Sequence, residues 1–188
     1  MVALAPVALA VIATVLPACG GSNVGPRGPG RPLPPYIGHS AELFDDAIEG
    51  KAVGYELDRG APPPMNDNAL RERAQVGDAV VRARVTTVTS KDEDKGRSWQ
   101  IGFHTLEKLG GSAPIGVDFT VQVEPYGPSA GILRALGGHL LGSTFVVFLR
   151  EFAVQGLPDE SFLHFHATGD GKANVAAVHS AFTMDRVR

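Results

Sequence analysis

The chain has 188 residues, a formal charge of −3 and a composition that is 44% hydrophobic and 20% charged. That length and apolar content suit one ordinary domain, and the slight acidic excess excludes a broad nucleic-acid-binding surface, which needs a basic face. With one cysteine, no internal disulfide can form, so the folded body depends on its core even in an oxidising compartment.

Val2 to Leu16 form a mostly apolar run that passes into Leu16-Pro17-Ala18-Cys19. A spanning helix needs about 20 apolar residues. Pro6 interrupts this run and Pro17 closes it, so a cleaved export segment fits better than a membrane span. Leu16, Ala18 and Cys19, with the apolar run before them, resemble the signal sequence and lipobox of a bacterial lipoprotein. The resemblance covers the leader alone. It implies removal of residues 1–18, lipidation of Cys19 and a lipid-anchored protein of the bacterial cell envelope, at the outer membrane or another periplasm-facing membrane surface. Each buried acyl CH₂ contributes about 0.8 kcal/mol, and several chains together anchor firmly.

Residues 19–38 are dense in Gly and Pro. Gly loosens the backbone and Pro blocks regular structure, so this stretch reads as a tether. Residues 39–188 then form a single β-rich domain. Ser40 to Lys51 has the pattern of a short amphipathic helix, with Leu43, Phe44, Ala47 and Ile48 on one face and Glu42, Asp45, Asp46 and Glu49 mostly elsewhere. The three prolines at 62–64 mark a loop, and a turn of helix is expected at Ala69 to Ala74.

Val80 to Thr89 alternates, with Val81, Ala83, Val85 and Thr87 opposite Arg82, Arg84 and Thr86. Ser90 to Arg97 reads as a charged loop. Trp99 to Thr105 and Val117 to Glu124 repeat the alternation. Pro128 to Leu141 has helical spacing, weakened by Gly137-Gly138. Thr144 to Phe152 is nearly all apolar, as expected of a central strand. Phe162 to Ala167 and Ala173 to Phe182 are two more strand candidates, joined by a turn at Gly169 to Lys172. The expected fold is mainly β with a short N-terminal helix: a small antiparallel β-barrel or roll. An OB-like arrangement is one form of it, and a sandwich or α+β roll is an equal alternative.

His164 and His166, two apart on a strand, share a face. They would serve as metal ligands if His179, Asp170 or His104 closed the set, since zinc takes three or four protein ligands. Arg82 and Arg84 share an outward face and suit a carboxylate or phosphate ligand. No nucleophile elbow, phosphate loop, zinc-protease helix or haem motif is present. No catalytic residue and no cofactor is therefore assigned. The expected function is a membrane-tethered binding or structural module, not an enzyme, whose partner is an envelope protein or cell-wall component and not nucleic acid. The alternative is a small metal-dependent envelope enzyme using the His164/His166 region.

Overall fold

The computed structural model describes residues 32–55 and 62–185. The expected leader, Cys19 and the tether as far as residue 31 lie outside the described residues. Among the described residues the chain forms four α-helices and one six-stranded sheet. The helices are α1 (His39–Leu43), α2 (Asn68–Val76), α3 (Ala130–Leu136) and α4 (Lys172–Asp185). The strands are β1 (Ala47–Ile48), β2 (Ala79–Glu93), β3 (Gly96–Gly110), β4 (Asp118–Val123), β5 (Thr144–Val154) and β6 (Leu157–Gly169).

The sheet order is β1-β6-β5-β2-β3-β4. Only β1, beside β6, is parallel; the other neighbours are antiparallel. The expected β-barrel, including its OB-like form, is therefore corrected to a mixed α/β fold built on an open sheet. The two edges, β1 and β4, do not pair with each other. Two core layers explain why closure is not needed. On the inner face Val81, Ala83, Val85, Ile101, Phe103, Phe145, Val147 and Phe165 pack with Ala130 and Leu133 of α3. On the outer face Val80, Val146, Phe148 and Phe152 pack under Phe44, Leu70, Ala74, Val178 and Ala181 from the loop after α1 and from α2 and α4. A sheet covered on both faces buries its apolar side chains without curling into a closed barrel.

Several elements differ from their sequence reading for local reasons. The first helix stops at Leu43, because Phe44 turns out of helical geometry and Asp46 enters the left-handed region, φ 56°. Ala47 and Ile48 then run beside β6 as an edge strand. The charged stretch 90–97 is not a loop. β2 and β3 continue through it to a tight turn at Asp94-Lys95, with Arg97 and Asp92 paired at 2.7 Å across the hairpin. A bulge between Val85 and Thr87 shifts the pleat, so Thr87 is exposed and Val88 packs on the core instead. The proposed last strand, Ala173 to Phe182, is helical. Ala177, Val178 and Ala181 recur at helical spacing and face the sheet. Four alanines between 173 and 181 add helix propensity. The strand readings for β4 and β5 and the helical reading of 128–141 agree with the structure.

Candidate functional site

The polar centre of the molecule lies on the helix-covered face of β6. Alternation along this strand sends Leu163, Phe165 and Ala167 into the inner core and turns His164, His166 and Thr168 the other way. Two of those polar side chains, His166 and Thr168, are buried, and buried polar groups need partners. The loop after α1 supplies them.

Asp46 is the one non-glycine residue with positive φ among the described residues. Its strained backbone makes a dense set of bonds. Its N–H donates to Phe165 O at 2.9 Å. Its carboxylate accepts from Phe165 N at 3.1 Å and from His164 Nδ1 at 2.7 Å. Its carbonyl accepts from Ser129 Oγ at 2.6 Å, and that hydroxyl accepts from Ile48 N at 2.7 Å. Ser129, fully buried beside the start of α3, thereby ties one end of that helix to β1.

His166 lies between two carboxylates, with Nδ1 2.8 Å from Asp45 and Nε2 3.2 Å from Glu49. Glu49 also accepts from Thr168 Oγ1 at 2.6 Å, and Asn174 of α4 donates to Thr168 and to Gly169 O. Burial pushes the Asp45 and Glu49 carboxyls up, but the hydrogen bond and charge of His166 and the charge of Arg73 outweigh it, and both end below the usual carboxylate range. Burial pulls the Arg73 guanidinium below its ordinary value, against Asp45, Glu49 and Asp67. Its Nε donates to Leu43 O at 2.7 Å, which joins α2 to the end of α1.

A strap covers the cluster. Pro34 O accepts from Ala153 N at 3.0 Å, and Pro35 makes a parallel bridge to Ala153. The strap thus takes the edge of β5 beyond Leu149, where its ladder with β2 ends. Tyr36 follows, with its ring stacked on His164 at 3.6 Å between centroids and edge-on to Phe152 at 5.1 Å. Its hydroxyl donates to Phe44 O at 2.9 Å. Burial first, then the charges of Asp46 and Asp45, push the phenol up to about 12. So the last residues of the expected tether are part of the folded body.

The sequence-derived candidates separate into different places. His164 and His166 do share a face, yet their Nδ1 atoms turn to Asp46 and Asp45 respectively. His179 is exposed on α4. His104 pairs with Asp118 at 2.8 Å, and Asp170 binds Arg82 through two nitrogens at 3.1 and 3.3 Å. Among the described residues no group of three or more His, Cys, Asp and Glu is arranged to hold a metal ion. Arg82 is thus occupied by a carboxylate of the chain itself, and Arg84 is exposed. Ser161 donates to Glu151 across the β5–β6 hairpin. Asp45, Asp46, Glu49 and Tyr36 were not legible as partners of the histidines, nor Arg73 as the cation beside Asp45 and Glu49. Asp46 and His164 are 118 positions apart, and acids on a short amphipathic pattern read as a solvated face.

Chemically, the cluster joins the strap, α2, α4, β1 and β6 through hydrogen bonds that are satisfied inside the protein. No buried side-chain nitrogen or oxygen among the described residues lacks a partner. A separate cleft of about 440 Å³ on the inner side is lined by Ala52, Val53, Leu136, His139, Leu140 and Ser143. No helix among the described residues is long and apolar enough to cross a membrane. No family model, curated protein or solved structure matches the chain.

Proposed function

We propose that this chain is a lipid-anchored protein of the bacterial cell envelope whose body is a non-catalytic binding or structural module. The carrying observation is the apolar run that ends in Leu16-Pro17-Ala18-Cys19, with the only cysteine of the chain directly after a small residue. Two structural features support the reading. The histidines turn to internal carboxylates, which suits a scaffold better than a reaction centre. The strap fastens the end of the tether to the sheet, so a pull on the anchor is borne by β5.

Expression of the full chain in a bacterial host tests this. The expected product begins at Cys19, carries acyl chains by mass spectrometry and partitions with membranes, and Cys19→Ser moves it to the soluble fraction. An intact Met1 terminus on soluble, unmodified protein overturns the proposal. Crosslinking in intact cells then identifies the envelope protein or wall polymer that the body contacts.

A further inference from the structure

The strap does more than hold the tether, because it fixes the point at which the tether leaves the body. Twelve residues, 20–31, separate Cys19 from Pro32. At no more than about 3.6 Å per residue, they keep Pro32 within about 45 Å of a lipid attached to Cys19. From Pro34 onward the chain is bound to β5 and stacked on β6, so the tether leaves the body beside these two strands.

Two large apolar side chains stand beside this junction. Ile37, next after Tyr36, is 64% exposed, and Phe162 is 54% exposed. Phe162 lies across from Phe152 and two residues before His164. Those are the two rings that Tyr36 packs on. Ile37 and Phe162 thus flank one aromatic cluster. Glu160 and Arg150 on the same hairpin carry opposite charges, and Arg150 is drawn over the Phe152 ring at 5.4 Å. On the other side, two residues after Ile37, His39 sits between the carboxylates of Glu42 and Glu72, so the two apolar side chains are bordered by charged groups that stay hydrated.

We propose that this face is the membrane-contacting side of the body, with Phe162 and Ile37 seated in the headgroup layer of the anchoring bilayer. The inference rests on the lipid-anchored reading above. Aromatic and aliphatic side chains at that depth bury apolar area while the surrounding polar groups remain hydrated. A tether of this length holds them at high effective concentration beside the lipid, so even a weak contact is populated.

The test uses full-length lipidated protein in phosphatidylcholine vesicles brominated high on the acyl chains. Three chains are compared: unsubstituted, Phe162→Trp and Tyr126→Trp. The native Trp99 is buried and sets the baseline. Tyr126 is 85% exposed and sits beside Gly96, at the β2–β3 turn. That turn is up to about 45 Å along β2 from Ala79, where β2 begins beside Leu149. The expected result is bromine quenching of the Phe162→Trp chain above baseline and none above baseline for Tyr126→Trp. Lipidated, vesicle-bound protein with no extra quenching in the Phe162→Trp chain, or equal quenching of both variants, overturns the membrane-facing assignment and leaves the patch to a protein partner. Protein without acyl chains that does not bind vesicles overturns the anchoring reading itself, and the two failures are told apart by the mass of the N-terminal peptide.

Discussion

Asp46 carries more of the local structure than its size suggests. A left-handed backbone costs a non-glycine residue about 1–2 kcal/mol, and here that strain aims one carboxylate at both Phe165 N and His164 Nδ1. Asp46→Ala keeps the strain and removes both acceptors. It is expected to destabilise the fold by about 3 kcal/mol, from the loss of two hydrogen bonds to a charged group. Asp46→Asn tolerates the same backbone and retains an acceptor, so it should cost clearly less. Urea unfolding of both variants measures this. Equal losses would show that charge, and not hydrogen-bond geometry, holds the loop. The acids at 45, 46 and 49 were visible in the sequence, but their role was not. An acidic residue facing solvent and one facing a distant strand look alike until the strand is placed.

At the scale of elements, the strand alternation of β2 was readable because one face is fully buried and the other carries Arg82 and Arg84. The pattern ended at a bulge, which leaves no clear mark in residue types. The helix α4 was misread because a run of Ala and Val satisfies period two nearly as well as helical spacing, and only packing of Val178 and Ala181 on the outer core distinguishes them. The join between β3 and its following loop rests on Gly111. Its φ is +84°, and a Cβ there would lie 2.4 Å from the Asp78 carbonyl oxygen. Because that oxygen is backbone, it cannot move aside cheaply. Gly111→Ala should cost about 1–3 kcal/mol, read as a fall in thermal midpoint. An unchanged midpoint would mean the loop re-routes without strain. A smaller clamp joins α1 to α2, where His39 sits between Glu42 and Glu72 at 3.2 and 2.9 Å. Hydrogen bonds to Glu72 and Glu42 raise its pKa. This contribution is present below the ordinary value of 6.5 and lost as pH rises through the raised folded value.

Over the whole molecule, the buried cluster sets the acid and alkaline limits of stability. Asp45 and Glu49 have folded values below their ordinary 3.8 and 4.5. The stability they supply is therefore complete above those ordinary values and disappears as pH falls through the lower folded ones. Tyr36 behaves oppositely. Its phenol rises from 10.0 to about 12, so its contribution is complete below pH 10 and is lost as pH climbs through the folded value. Urea midpoints measured across pH should fall at both extremes. The double variant Asp45→Asn, Glu49→Gln should flatten the acid limb, and Tyr36→Phe should flatten the alkaline one. Limbs that keep their slopes in these variants would place the controlling groups elsewhere.

The proposal of export and anchoring rests on Val2 to Cys19 alone, because such signals are linear, decoded by length, hydropathy and one cysteine without any fold. Most strands were legible for a related reason, since a pleat writes its period into neighbouring residues. The open sheet, the parallel edge at Ala47–Ile48 and the meeting of Asp45, Asp46 and Glu49 with His164 and His166 arise from contacts between distant positions. Such contacts depend on how two covered faces share the apolar residues, and no local pattern encodes that division.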